Sequence, residues 1–450
     1  MSKTLFDEFN PVSAKAWKQK IQVDLKGADY NDDLIWKTPE GIDVKPFYHS
    51  DDFESLPTPT NTKATRWSIC QAIEVHDTNT ANKEALDAIN RGAESILFEV
   101  QSEDISISEL CRNISEDIDI HIKFNGLSET IADACATLKN CILHTDIIGH
   151  LAETGNWYNN LKDDHAKFET IVSKTKTVSI SLGLYQNAGA TMVQQLAYSL
   201  AHANEYLNHF EQNGTKLEDV NFIFNVAVGS NYFFEISKLR ALRQLWATLA
   251  SEYNANEACQ IFATPSRRNK TIYDYNVNML RTTTECMSAI LGGANTVCNL
   301  PYDALYHNPN EFGNRISRNQ LLVLKNESYF DAVDNPSDGS YYIEKLTEQL
   351  AEKALDIFKS IEASGGFLSQ LKDGTIQKKI SESAREEQSE FNSGKLTLLG
   401  TNKHPNPQDK MKNDLEKSPF LKFEKRKTLI QPIIQKRLPE SLEYKRLKDE

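Results

Sequence analysis

From residue 67 onward, the chain repeats one pattern, in which a short apolar run is followed in most cases by a segment of helical periodicity. The eight runs are residues 67–75, 95–100, 119–124, 140–149, 177–183, 221–228, 259–265 and 296–303. Each run is too apolar to face water, which is typical of strands in a parallel sheet covered by helices. Eight such units within about 250 residues predict an α/β fold, the (β/α)8 or TIM barrel.

Helical periodicity separates most of these runs. The predicted helices are residues 82–91, 106–113, 128–138, 190–211, 232–251, 274–291 and 315–325. A doubly wound open sheet is the structural alternative, but it normally has fewer strands and a glycine-rich first turn. No G-x-G-x-x-G follows the first run, so the pattern favours the barrel.

The segments before the barrel differ from it in composition. Residues 1–35 predict an N-terminal arm, in which 13–25 has helical periodicity but few apolar side chains of its own. Residues 36–48 predict two short extended pieces around a turn at 39–41. Because the arm cannot bury its apolar side chains alone, we expect it to contact a partner.

The segments after the barrel are predicted to extend it. Residues 336–343 read as a turn into a short extended piece, followed by helices over 344–363 and 376–390. Residues 401–450 are rich in charge and proline, which predicts an extended tail that needs a partner surface or is partly disordered. The predicted organisation is an arm (1–35), a barrel with post-barrel helices (36–400) and a C-terminal tail (401–450).

Composition narrows the class of protein. A net charge of −13 over 450 residues argues against a general nucleic-acid binder, which would be basic. The seven cysteines form no C-x-x-C pair, which indicates buried thiols in a reducing compartment. The sequence shows neither a signal peptide nor a stretch of roughly 20 apolar residues. These features predict a cytoplasmic protein without a membrane span.

Five blocks are too specific for a generic barrel. They are WKTPEGIDVKPFY (36–48), FEISKLRALRQLW (234–246), NMLRTTTECMSAILGG (278–293), ESYFD (327–331) and DGSYY (338–342). Together they resemble the methylmalonyl-CoA mutase family, over roughly residues 5–400 of this chain. Members of that family use adenosylcobalamin to interconvert methylmalonyl-CoA and succinyl-CoA by a radical rearrangement, so the resemblance implies an isomerase.

The chain departs from the family pattern where catalysis is expected. Catalytic members carry a tyrosine–histidine pair after the fifth strand, in the pattern S-G-Y-H-x-x-E-A-G-A. Here Gly183 stands in place of the tyrosine, Leu184 in place of the histidine and Asn187 in place of the glutamate. Glycine and leucine side chains provide neither a hydrogen bond nor a proton. Tyr185 lies two positions late, so no catalytic residue is expected in this chain.

A second departure concerns cobalt. Cobalamin-binding members add a flavodoxin-like domain with D-x-H-x-x-G, and we expect no such domain before the chain ends at Glu450. The nearest string, residues 163–168, lacks the glycine, so its histidine reads as a solvated helix-face side chain. The chain therefore resembles the small (beta) subunit of a heterodimeric mutase. The resemblance implies a large (alpha) subunit that holds both the adenosylcobalamin and the acyl-CoA substrate, with no cofactor on this chain.

Two other functions remain open at this point. The chain could be the substrate subunit of an acyl-CoA mutase that works with a separate cobalamin-binding chain, although Gly183 and Leu184 argue against this. It could also be a regulator that binds CoA esters at a residual barrel mouth.

The basic loop after the seventh run is the candidate ligand site. Arg267, Arg268 and Lys270 follow a strand at the end of the barrel where phosphates often bind, which predicts a vestigial phosphate or CoA site. A salt-bridged surface loop is the alternative. Ser179 and Ser181 share one face of the fifth strand and could line a channel or simply fill the barrel.

Other polar residues are predicted to be structural. Glu235, Lys238, Arg240 and Arg243 have helical spacing, which indicates ion pairs at the barrel exterior or a subunit contact. His202 and His209 read as surface histidines, because no histidine–carboxylate group has the spacing of a metal site.

Overall fold

The computed structural model describes residues 8–60, 62–421 and 426–450. The strands are β1 (Trp36–Lys37), β2 (Asp43–Val44), β3 (Ser68–Val75), β4 (Ser95–Val100), β5 (Asp119–Phe124), β6 (Cys141–His144), β7 (Thr177–Ile180), β8 (Asn221–Val228), β9 (Cys259–Pro265) and β10 (Thr296–Cys298). The helices of the first half are α1 (Ala14–Asp24), α2 (Tyr30–Leu34), α3 (Thr78–Asn90), α4 (Ile107–Leu110), α5 (Glu129–Ala136), α6 (Ile147–Thr154), α7 (Leu161–Thr175), α8 (Leu182–Ala188) and α9 (Met192–Gln212). Those of the second half are α10 (Tyr232–Glu252), α11 (Val277–Leu291), α12 (Glu311–Asn326), α13 (Tyr341–Ala363), α14 (Phe367–Lys372), α15 (Thr375–Ser393) and α16 (Glu440–Asp449).

The strands β3 to β10 form one parallel sheet in the order β6-β5-β4-β3-β10-β9-β8-β7. The first of them pairs with the last, with Cys70 opposite Cys298. The two outer strands meet where the Ser179 N–H donates to the Thr145 carbonyl at 3.1 Å. The predicted (β/α)8 barrel is therefore confirmed, because a doubly wound open sheet would not join its first and last strands.

Alternation along the strands divides the core into two layers. On β3, Ile69 and Ile73 belong to the large core between the strands and the surrounding helices. Cys70 faces the opposite way, into a second cluster on the barrel axis. Side chains of neighbouring residues in a strand point to opposite faces, so strands that are buried on both sides need the continuous apolar runs seen in the sequence.

Most predicted strand bounds agree with the structure, and three predicted runs end early. The run at 140–149 stops at His144 because the Asp146 side chain accepts a hydrogen bond from the Gly149 N–H and caps α6. The run at 177–183 stops at Ile180, because α8 begins at Leu182. The run at 296–303 gives only the three residues of β10. The sequence pattern did not predict α6, α7 or α8, and the extended piece predicted at 341–343 is wrong, because α13 already begins at Tyr341.

The N-terminal arm contains the predicted helix α1, which buries no side chain, and the short helix α2, in which Tyr30 is buried. Ser13 caps α1 by accepting a hydrogen bond from the Ala16 N–H, and no residue of α1 is buried. Trp17 packs edge-on against Phe47, with ring centroids 6.2 Å apart, yet it remains half exposed. After the arm, β1 and β2 are the two predicted extended pieces around a turn, and the structure pairs them antiparallel.

The C-terminal tail binds its own barrel. Its backbone follows the carboxyl ends of the strands, where the Ile433 N–H donates to Ala152 at 2.7 Å and the Leu438 N–H donates to Arg268 at 2.8 Å. Met411, Ile433 and Leu438 are buried. The expectation that the tail needs a partner surface is therefore wrong for its described part, since loops after the strands provide both carbonyl acceptors and apolar contacts.

The helices and the cysteines agree with the expectations from composition. Within residues 8–60, 62–421 and 426–450, none of the helices has the length and hydropathy needed to cross a bilayer. All seven cysteines are free thiols, and six of them are buried. Their burial fits the apolar runs in which most of them occur.

Candidate functional site

The turn after β7 is where the sequence loses its tyrosine–histidine pair. Gly183 lies against β8, where an added Cβ would be 3.4 Å from the Ala227 nitrogen and 3.5 Å from its Cβ. Leu184 is buried in the main core. The turn therefore presents no acid, base or hydrogen-bond donor from these two side chains.

Tyr185 does not replace the missing tyrosine. Its side chain is fully buried, and its hydroxyl forms a 3.0 Å hydrogen bond with His202 Nδ1 on α9. Burial raises the pKa of Tyr185 well above its usual value. The prediction that His202 lies on the surface is wrong, because its ring is enclosed between α8, α9 and the start of α6.

Asp146 holds this buried group together. Its carboxylate accepts hydrogen bonds from the Ser181 N–H at 2.8 Å, from the Tyr206 hydroxyl at 2.8 Å and from the His202 ring at 2.9 Å. Burial alone would raise the pKa of Asp146, but the neighbouring His202 and the other donors outweigh it and lower that pKa. These hydrogen bonds hold the turn between β7 and α8 in place, so the role of Asp146 is structural.

Aromatic side chains fill the barrel axis. His121 Nδ1 and His144 Nε2 are 3.0 Å apart, and the edge of Phe262 packs against both rings, with centroids at 4.8 and 5.6 Å. Burial lowers the pKa of His121 to about 4, so this ring is neutral at pH 7. Ser179 Oγ is 3.2 Å from His144 Nδ1 and is buried. Ser179 thus belongs to a packed interior, as in TIM barrels generally.

The basic loop after β9 is largely neutralised within the chain. Lys270 is 1% exposed and donates to both carboxylate oxygens of Glu285, at 2.9 and 2.7 Å. Arg268 donates to Glu387 at 2.6 Å and to the Lys436 carbonyl at 2.7 Å. Arg267 is exposed. Of the three residues predicted to bind phosphate, Arg267 is the one whose guanidinium faces solvent, so that prediction now depends on Arg267.

A small cavity lies between the ends of β8 and β9. It has a volume of about 70 Å³ and is lined in part by Gln186, Ser266, Arg268 and Leu438 of the tail. A water molecule occupies roughly 30 Å³ of liquid, whereas ligand pockets usually measure about 300–1,000 Å³. The cavity can hold a few waters but not an acyl-CoA.

Comparison with known proteins agrees with this geometry. The family model described as methylmalonyl-CoA mutase matches residues 132–442. The chain belongs to the methylmalonyl-CoA mutase family. It is 35% identical to the methylmalonyl-CoA mutase small subunit of Porphyromonas gingivalis, over 89% of this chain and 71% of that one.

Two other relatives show the same family at lower identity. The methylmalonyl-CoA mutase of Rhizobium meliloti is 28% identical, over 87% of this chain and 64% of its own length. The small subunit of the Streptomyces virginiae mutase is 26% identical, over 89% of this chain and 72% of its own. The chain thus spans less than two thirds of the Rhizobium mutase and somewhat more of the small subunits.

The string at residues 163–168, which is nearest to the family's cobalt motif, is part of α7. His165, in the string nearest to the family's cobalt motif, lies in the outer helical layer with its ring against Trp157 and His209. Its Nδ1 is bonded to the Leu161 carbonyl at 2.8 Å, and His209 pairs with Glu169 at 2.8 Å. No three histidine, cysteine, aspartate or glutamate side chains in the described ranges are arranged to hold a metal ion.

Three of the four charged residues predicted to pair on α10 do so, but inside the chain, whereas Arg243 donates to the Cys259 carbonyl at 2.6 Å and to Asn295 Oδ1 at 2.8 Å instead. Lys238 and Glu235 are fully buried and 2.5 Å apart, and Lys238 also donates to the Ala227 carbonyl at 3.0 Å. Arg240 pairs with Asp338 and Glu344 near the start of α13. Arg240 thus ties α10 to α13, and the hydrogen bond from Lys238 to Ala227 ties it to β8, so these buried residues do not form a subunit contact. The Lys270–Glu285 pair was missed, although Glu285 lies within one of the family blocks.

Proposed function

We propose that this chain is the small, non-catalytic subunit of a heterodimeric methylmalonyl-CoA mutase, which interconverts methylmalonyl-CoA and succinyl-CoA. The observation that carries the proposal is the turn after β7. Gly183 and Leu184 occupy the positions of the family's tyrosine and histidine, and both are packed against other protein atoms. The filled barrel axis at His121, His144 and Phe262 supports the same conclusion.

The partner is a large (alpha) subunit that holds the cofactor and the acyl-CoA substrate in a cytoplasmic complex. Adenosylcobalamin supplies the radical chemistry of this reaction when it is bound. His165, the histidine of the string nearest to the family's cobalt motif, lies on α7 with its Nδ1 bonded to the Leu161 carbonyl, and the 70 Å³ cavity at the carboxyl end of the barrel is too small for the substrate. The chain's own contribution is then a stable barrel and a contact surface.

We assign the arm, residues 1–35, to the contact with the large subunit. Its helix α1 buries no residue on the rest of the chain, and Trp17 and Val23 are exposed. The tail is less suited to this role, because Met411, Ile433 and Leu438 are already buried on the chain's own barrel.

The test is a reconstitution with the large subunit of the same organism. Methylmalonyl-CoA turnover is measured with adenosylcobalamin for this chain alone, for the large subunit alone and for both together. We expect a stable complex with turnover, and no turnover by this chain alone. Turnover by this chain with a free cobalamin-binding domain would contradict the proposal and favour the substrate-subunit alternative.

A second candidate function depends on Arg267. Its exposed guanidinium at the carboxyl end of the barrel supports a residual site for the phosphates of a CoA ester, as a regulator would need. Calorimetry of the isolated chain with methylmalonyl-CoA would detect such binding, and Arg267→Ala should abolish it. If neither the wild-type chain nor the Arg267→Ala variant releases heat, this candidate is refuted. An unchanged KM for methylmalonyl-CoA, measured with the Arg267→Ala variant in complex with the large subunit, would agree with that result.

A further inference from the structure

A row of aromatic side chains lies on the surface near the amino ends of α10 and α13. The rings of Phe233 and Tyr342 are 5.5 Å apart and nearly perpendicular, and those of Tyr342 and Tyr48 are 5.7 Å apart. Trp36 packs edge-on against Phe234, the residue next to Phe233, at 5.7 Å. We refer to Trp36, Tyr48, Phe233 and Tyr342 as the aromatic row.

Phe233, the member of the aromatic row on α10, is exposed although this helix already buries the neighbouring Phe234 against the barrel. Phe234 is fully buried, whereas the neighbouring Phe233 is 50% exposed and Trp36 is 48% exposed. Packing of α10 on the barrel therefore does not require Phe233. Large aromatic side chains with such exposure are enriched at protein interfaces and often contribute most of the binding energy there.

The charges around the aromatic row indicate the chemistry of an occupant. Lys37 follows Trp36 in the chain and lies opposite Asp43 in the β1–β2 pair without an ion pair to it, and the Lys353 ammonium lies at the turn of the same pair, 3.6 Å from where a Cβ on Gly41 would be. Neither lysine has a carboxylate partner among the residues that the structure describes. Lys45 and Lys345, at the Tyr48 end, are paired within the chain. Unpaired lysines in a chain of net charge −13 favour an occupant with carboxylates.

The aromatic row also continues into the arm. Trp17 of α1 packs against Phe47, which directly precedes Tyr48. Exposed residues of α1 add Lys15 and Lys18, and also Lys20, which pairs with Asp24 of the same helix. The arm and the aromatic row therefore form one continuous surface, with apolar rings at its centre and lysines at its edge.

We infer that the aromatic row is the centre of a docking surface for the large subunit, which meets it with an apolar patch edged by carboxylates. This inference rests on the proposed function, because it takes the large subunit as the partner. It adds that the contact extends beyond the arm to the barrel, and that Trp36 and Phe233 contribute most of its affinity.

The test measures affinity for the purified large subunit by surface plasmon resonance. Trp36→Ala and Phe233→Ala should each raise the dissociation constant tenfold or more. Matched controls are Leu280→Ala and Tyr329→Ala, which are 68% and 72% exposed outside the aromatic row and should leave it unchanged. Lys37→Glu should slow association and reduce its dependence on salt. Circular dichroism and unfolding curves of each variant report whether it remains folded.

The possible outcomes separate the inference from the proposed function. If the wild-type chain binds the large subunit and folded Trp36→Ala and Phe233→Ala bind equally well, the inference is wrong and the proposed function stands. If the wild-type chain does not bind the large subunit, both are wrong. If sedimentation shows that this chain self-associates and that Phe233→Ala prevents it, a second copy occupies the row and the inference is again overturned.

Discussion

Replacing Lys270 by methionine should destabilise the chain severely, because its ammonium is buried in an ion pair. The Lys270 ammonium donates to both oxygens of Glu285, to the Ser266 carbonyl at 2.8 Å and to Asn269 Oδ1 at 2.7 Å. Burial lowers the pKa of Lys270 and raises that of Glu285, so each charge depends on the other. Removing one partner of such a buried pair costs about 3–5 kcal/mol.

The double variant tests whether the cost comes from the pair. Lys270→Met combined with Glu285→Gln removes both charges and keeps similar volumes, so we expect the free energy of unfolding to return to within about 2 kcal/mol of the wild type. The assay is equilibrium unfolding in urea, followed by tryptophan fluorescence and circular dichroism. The exposed pair Lys379 and Glu382 provides the matched control, and its variants should show no measurable change in midpoint.

Two results would refute this reasoning. A loss below about 1 kcal/mol for Lys270→Met would mean that the buried ammonium matters no more than a surface charge. A double variant as unstable as the sum of the single variants would mean that the two side chains are not coupled. Either result would also return Lys270 to the list of candidate ligand-binding residues.

Three further predictions concern the tail and the barrel axis. Arg437→Leu leaves Glu443 buried without its 2.6 Å partner, so it should cost about 3 kcal/mol and make the tail sensitive to limited proteolysis. Gly155→Ala should also free the tail and lower the free energy of unfolding by more than about 1 kcal/mol, because Gly155 has φ +80° and an added Cβ would lie 2.6 Å from the Ile430 carbonyl oxygen. Proteolytic cleavage of the tail at the wild-type rate would contradict this. Since the folded-state pKa of His121 is lowered to about 4, its stabilisation is present above pH 6.5 and is lost as pH falls. Between pH 7.5 and 5.5 this loss is about 1.3 kcal/mol, and urea unfolding of His121→Leu should show a correspondingly smaller dependence on pH.

The strands were predictable because burial on both faces leaves a clear mark in the sequence. The runs at 95–100, 119–124, 221–228 and 259–265 coincide with strands of the barrel. The run at 140–149 was too long because Asp146 starts a helix inside an apolar stretch, where periodicity does not distinguish strand from helix. The helix α7 was missed in a polar segment with few apolar positions.

The candidate site was predictable only in part, for a different physical reason. The loss of the tyrosine–histidine pair at Gly183 and Leu184 is visible in the sequence. The ion pairs of Arg268 and Lys270 are not visible there. Arg268 pairs with Glu387, which is distant in the chain, and Lys270 pairs with Glu285 on the helix that follows the loop. His202 was misplaced for the same reason, since its partner Asp146 lies on another element. The burial of the tail could not be predicted either, because it depends on loops that follow several different strands.

Pairing of β3 with β10 constrains how this chain can fold during synthesis. The paired residues Cys70 and Cys298 are more than 200 positions apart, so the barrel cannot close until β10 has left the ribosome. Until then β3 presents an unpaired apolar edge, and such edges pair readily with other chains. The tail, which fastens the loops at the carboxyl ends of the strands, is made after β10. A nascent chain that stalls before β10 has left the ribosome is therefore expected to aggregate, whereas one that stalls after β10 has emerged can already hold a closed sheet.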